Sequence, residues 1–228
     1  MLAERRITEE LMDDPALPEA TYHAVLADLA QVNTVTMAAR PTRAFLARAT
    51  LGQSGFSLLD VGFGHGDMLR RVARWAQERG LAARLVGVDL NPRSEAAARA
   101  ATDPALPITY LTGDYAALAG EGFDFVISSL VAHHMSDEEL ATFLSFMETS
   151  ARRGWLVNEL HRHGFAYAGY PLLARLLGWH PIVRADGRTS IARAFRPAEW
   201  HARLAAAGIT RARVERWFPF RLCVSRLR

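Results

Sequence analysis

Downstream of Gly55, short apolar runs alternate with stretches in which apolar residues recur every three or four positions. The runs "FSLLDVG" (56–62), "RLVGVDL" (84–90), "ITYLTGD" (108–114), "FDFVISSL" (123–130) and "GWLVNEL" (154–160) predict strands, the fourth buried on both faces. Between the first two, the stripe Met68, Leu69, Val72, Trp75 and Ala76 predicts a helix ended by Gly80. Residues 92–101 predict another, and Ser136 with Glu139 forms a capping box opening the helix "DEELATFLSFMETSA". This alternation predicts an α/β fold with a doubly wound, mostly parallel sheet, helices on both faces, and ligands at the carboxyl ends of the strands.

The two flanks are less regular. Residues 18–31 and 42–49 have amphipathic helical patterns, with Tyr22, Val25, Leu26 and Leu29 on the inner face of the first. Residues 1–50 are therefore expected to form a helical lid or to pack on the sheet edge. The remainder, 51–228, is expected to be one core carrying a cap at about 161–195, where "FAYAGYPLLARLLGWHPIV" breaks the alternation with an apolar, aromatic helix. Residues 197–207 predict a further helix, and "ARVERWFPFRLCVSRL" predicts two antiparallel strands turning at Pro219.

Composition narrows the setting. A chain of 228 residues, half of them hydrophobic, can bury one substantial core. No signal-peptide pattern and no run of 18 apolar residues occurs, so a cytoplasmic protein without a membrane partner is expected. The single Cys223 reads as a buried strand residue and cannot form an internal disulfide or a cysteine-based metal cluster. The 27 basic residues are all Arg, spread among 24 acidic ones for a net charge of +3. This dispersed pattern is a poor match to a nucleic-acid partner, and the absence of Lys removes any mechanism that needs a catalytic lysine.

Three glycines, Gly62, Gly64 and Gly66, stand at alternate positions where the first strand gives way to a helix. Such a loop directs free N–H groups and a helix N-terminus into one crevice, and lets a ligand approach the main chain. A dinucleotide fingerprint, G-x-G-x-x-G, would need glycine where Asp67 stands. The actual pattern, Asp60-Val-Gly62-Phe63-Gly64-His-Gly66, resembles motif I of the class I S-adenosylmethionine (SAM)-dependent methyltransferases. The resemblance runs from about Phe56 to Glu159 and implies a seven-stranded, Rossmann-like sheet with SAM as cofactor. It further implies that Asp89 takes the ribose hydroxyls and Asp114 the adenine amino group. Leu90, Gly113 and Tyr115 would lie beside the adenine, with Ser129 also at the cofactor. The ordered series Asp60, glycine loop, Asp89, Asp114 and Asp124 carries the likeness.

The segment after the fourth strand bears on the acceptor. "SSLVAHHM" lacks the Asn/Asp-Pro-Pro-Tyr motif of amino-group methyltransferases, and Cys223 is far from the position needed for attack on cytosine. "LVAHHM" is similar to the "LHH" segment of quinone-pathway C-methyltransferases and many small-molecule O-methyltransferases. His134 is the first candidate for the base that deprotonates an acceptor hydroxyl, and His133 the second; packing or capping of the next helix is the alternative role for both. Asn158, Glu159 and His161, followed by Tyr167 and Tyr170, are candidates for contacting or capping the acceptor. His161-x-His163 alone is a weak metal signature, and no metal is expected. The tail, including "DGRTSIARAFRPAEW", resembles bacterial methyltransferases of quinone-like and aromatic polyketide pathways. It implies a small, phenolic or polyketide-like acceptor in secondary metabolism, with O-methylation favoured over C-methylation. An NAD-linked oxidoreductase, an RNA methyltransferase and a non-catalytic SAM-binding scaffold are the competing readings. Oligomeric state is not legible in the sequence.

Overall fold

A computed structural model describes residues 2–228. A seven-stranded sheet in the order β3-β2-β1-β4-β5-β7-β6 organises the chain. Its strands are β1 (Gly55–Val61), β2 (Ala82–Asp89), β3 (Ile108–Thr112), β4 (Phe125–Ser129), β5 (Gly154–Leu160), β6 (Arg213–Trp217) and β7 (Arg221–Leu227). The first five run parallel, while β7 lies antiparallel to both β5 and β6. The predicted α/β fold and all seven strands are thus present. The helices are α1 (Glu19–Val35), α2 (Ala39–Ala49), α3 (Asp67–Glu78), α4 (Pro92–Ala100), α5 (Asp137–Ser150), α6 (Gly164–Leu176), α7 (Pro181–Arg193) and α8 (Pro197–Ala206).

Both sheet faces are buried. One core gathers Val126, Trp155 and Val157 with Phe143 and Met147 of α5 and Trp200 of α8. On the other, Leu58, Phe125 and Ile127 pack against Leu69, Val72 and Trp75 of α3 and Phe45 of α2. The capping box is formed: Ser136 Oγ accepts from the Glu139 N–H, and Glu139 Oε2 accepts from the Ser136 N–H. Asp124 sits at the amino end of β4, where its carboxylate accepts from the Ser57 N–H and hydroxyl and ties β1 to β4.

The aromatic run after β5 forms two helices, broken at Gly178, which adopts positive φ. Helices α6 and α7 close over α1 in a small core of their own, in which Val25 packs with Ala174, Trp179 and Val183. Asp28 accepts from the His180 N–H at 2.6 Å, and Asp186 of α7 accepts from the backbone N–H groups of Leu11 and Met12. These links fasten the N-terminal segment and α1 to the cap as one roof above the carboxyl ends of the strands.

Candidate active site

A cavity of about 580 Å³ lies between this roof and the sheet. Strand β1 delivers Asp60 to it, and the chain then turns through Gly62, Gly64 and Gly66 into α3, all three at positive φ. The need for glycine is clearest at Gly62, where an added Cβ would strike the Val131 side chain. The Gly64 N–H donates to Asp89 Oδ2 and the Asn91 N–H to Asp89 Oδ1, each at 2.9 Å. A carboxylate offers about four acceptor positions, so Asp89 retains capacity for two ligand hydroxyls.

Asp60 is 1% exposed, and its Oδ1 has no partner among the described residues. Burial, reinforced by Asp67 and Asp89, pushes its carboxyl well above the usual range. A buried acceptor on a cavity wall is costly unless a ligand donor meets it. An α-ammonium group fits that requirement, so the residues present fit SAM: Asp60 would meet its amino-acid end and Asp89 its ribose, with Leu90, Gly113 and Tyr115 lining the same cavity.

The other end of the cavity holds two histidines on the turn Ala132–His134 after β4. The turn follows Leu130, a non-glycine residue at φ +62°, a conformation that costs energy and collects at functional sites. Arg193 of α7, itself buried, donates to the carbonyls of both His133 and His134. Fully buried Glu159 holds His133 Nδ1 at 2.9 Å, while Glu10 Oε1 stands 3.5 Å from His133 Nε2. Burial alone would lower the His133 pKa, but Glu159 and Glu10 reverse this and raise it to about 9. The two carboxylates thus favour the protonated form of His133, whose Nδ1 is bonded to Glu159 while Nε2 faces Glu10 without a hydrogen bond. His134 is more open, with Nδ1 3.3 Å from Asp13 Oδ2 and Nε2 3.8 Å from Glu10 Oε1.

Ligand atoms of Glu10, His133 and His134 lie within 4.8 Å of one another, close enough to hold a cation. Arg193 Nη1 already lies 3.9 Å from the same Glu10 oxygen, and Ser190 donates to it at 2.8 Å. With the His133 proton added, positive charge is supplied from within the cluster.

Residues 58–154 match a family described as a methyltransferase domain. Those residues carry a methyltransferase domain. Over 164 residues, 68% of its length, it is 30% identical to the ubiquinone biosynthesis O-methyltransferase of Brucella anthropi; the match spans 60% of that relative. Among solved structures, magnesium protoporphyrin IX methyltransferase from Synechocystis PCC 6803, with bound S-adenosylhomocysteine (SAH), superposes with TM-score 0.57 at 18% identity, covering 95% of this chain and 90% of the other. Human N-acetylserotonin methyltransferase in complex with SAM gives TM-score 0.61 at 18% identity, covering 92% and 56%. These two likenesses establish the shared fold.

The cavity lining unites Asp60, Gly62, Phe63, Gly64, Asp89, Leu90, Gly113, Tyr115, Ser129, His133 and His134 of this methyltransferase domain with Tyr170 of α6. Gly66 lies behind it against Tyr110, and Asp114 caps the turn Tyr115–Leu118 by accepting from the Ala116 N–H. Asn158 is buried, and its amide donates to the Ala38 carbonyl and Thr42 hydroxyl, fixing α2 to β5. Glu159 acts behind His133. His161, its pKa lowered to about 4 by burial and nearby Arg216, and Tyr167, beneath the Arg188 guanidinium, lie outside the lining. Glu10, Asp13 and Arg193 belong to the site without having stood out in the sequence; "ELMD" (10–13) is a short acidic segment with no motif spacing.

Proposed function

We propose that this chain transfers the methyl group of SAM to an oxygen of a small phenolic or polyketide-like acceptor. The carrying observation is that His134, paired with Asp13, shares one continuous cavity with the glycine loop and Asp89. Bound SAM would supply a methyl group on a sulfonium, open to in-line displacement. Asp89 orients the cofactor at its ribose and Asp60 at its amino-acid end. His134 takes the acceptor's hydroxyl proton on Nε2, and Asp13 at Nδ1 stabilises the imidazolium that results. Met12, Val25, Leu26, Leu29, Val183 and Ile191 provide an apolar wall suited to an aromatic acceptor and exclude water from the displacement. The free, buried thiol of Cys223 suits a reducing, cytoplasmic setting, and an acceptor of this class belongs to secondary metabolism.

The test is a screen of phenols and polyketide-like compounds for SAM-dependent turnover, alongside thermal protection by SAH and by NAD. Turnover with protection by SAH but not NAD supports the proposal. Protection by NAD alone would transfer the site to an oxidoreductase, and SAH binding without turnover on any acceptor would favour a scaffold.

A further inference from the structure

Arg221 opens β7 beside Leu160 at the carboxyl end of β5 and lines the same cavity. Its side chain is 2% exposed, yet Nε and Nη1 have no hydrogen-bond partner among the described residues. Nη2 donates to Asn33 Oδ1 at 3.3 Å. No carboxylate lies within ion-pair distance of Arg221 among the described residues. The nearby acids are engaged elsewhere: Asp67 with Arg71 and Asn33, and Glu159 with His133. A guanidinium remains charged when buried, and its fork of donors matches a carboxylate in two parallel bonds. Its free donors, facing the cavity lining, suit an anion from outside the protein.

Asp60 presents the opposite deficit. It is a buried acceptor without a donor, on the wall of the same cavity, and both groups feel the charge of Asp67 at the start of α3. A ligand carrying an ammonium and a carboxylate on one carbon satisfies both deficits at once.

We propose that Arg221, steadied by Asn33, forms the subsite that receives the α-carboxylate of the cofactor's amino-acid end, opposite the Asp60 position for its α-ammonium. The inference rests on the SAM reading above. It assigns a binding role to the final strand, which otherwise serves only to complete the sheet, and makes the intact amino-acid moiety a condition for tight binding. An acceptor bearing a carboxylate is the other source of the same chemistry.

The test is calorimetric titration of SAH, decarboxylated SAM and 5′-methylthioadenosine into wild-type protein, Arg221→Met, Arg221→Lys and Asn33→Ala. Wild type should bind SAH about 10- to 100-fold more tightly than 5′-methylthioadenosine. Arg221→Met should lose that factor for SAH while leaving decarboxylated SAM and 5′-methylthioadenosine unchanged. Arg221→Lys should recover part of it, and Asn33→Ala should lose part. If Arg221→Met does not fold, as judged by circular dichroism, the other two variants carry the test. Equal weakening of all three ligands would make Arg221 structural and overturn the proposal. Unchanged SAH affinity would also overturn it, and weaker binding of carboxylate-bearing acceptors would then assign the anion to the acceptor. Failure of wild type to bind any of the three would remove the SAM reading itself, and the subsite with it.

Discussion

Glu159, near the end of β5, holds Nδ1 of His133 at 2.9 Å with both side chains buried. The pair joins the sheet to the turn that presents His134, so its titration bears on stability as well as on the site. His133 has a folded pKa of about 9 against an ordinary 6.5. Its stabilising contribution is therefore full below the ordinary value and is lost as pH rises through about 9. Glu159 behaves oppositely: burial would raise its pKa, but His133 carries it below the usual value, so its contribution is lost in acid. Glu159→Gln should lower stability at neutral pH by about 1.5–3 kcal/mol, the worth of a charge-assisted hydrogen bond. The variant should also flatten the alkaline loss. Thermal unfolding from about pH 6 to about pH 10 measures both effects, and an unchanged alkaline slope would remove His133 as its source.

His134→Ala should leave SAH affinity nearly intact and lower kcat by about 10²- to 10⁴-fold, the usual range for a lost general base. More acidic phenols need less help, so the deficit should shrink as acceptor pKa falls. Asp13→Asn should follow the same trend with a smaller loss. His133→Ala should show no dependence on acceptor acidity. A His134→Ala deficit that ignores acceptor pKa would assign that residue to positioning.

Asp89→Ala should weaken SAH by about 1.5–3 kcal/mol for each ribose hydroxyl that loses its charged acceptor. Asp114 lies outside the cavity lining, between Gly113 and Tyr115 that belong to it; if the adenine amino group reaches its carboxylate, Asp114→Ala should weaken SAH and leave the hypoxanthine analogue, without the amino donor, unaffected. Titration of both ligands into both variants separates the two contacts. Undiminished preference for adenine in Asp114→Ala would place its recognition elsewhere.

Dialysis against a strong chelator should leave turnover and Tm unchanged, because His133, Arg193 and Ser190 already surround the Glu10 carboxylate. Activity lost on chelation and restored by a divalent ion would instead assign Glu10, His133 and His134 to a metal.

Short-range pattern made much of this legible. The strands, the capping box at Ser136 and the glycine turn each follow from a local rule, and each is present in the structure. The aromatic segment was less tractable because one apolar run is shared by two helices, and the break at Gly178 does not interrupt its hydrophobicity. The site was legible where one strand end supplies a residue and obscure where distant segments meet. Glu10 reaches His133 across more than half the chain, and Arg221 reaches the cavity from the last strand. Asn158 and Glu159 adjoin the strand end that the fold rule selects, yet alternation within β5 and the position of α2 decide where they point.

The roof has a kinetic consequence. Its packing centres on Val25, Ala174, Trp179 and Val183, separately from the two cores that flank the sheet. Lifting it as a unit would break the polar links that run from it to the layer below, such as Tyr22 to Ser94, Asn33 to Asp67 and Arg193 to the carbonyls of His133 and His134, while the sheet stays intact. A methylated product that has lost its hydroxyl proton has less to gain from His134 and more from the apolar walls. If the proposed methyl transfer takes place beneath this roof, departure of product rather than bond making is expected to set the pace of the cycle, and viscosity becomes a lever on the steady-state rate.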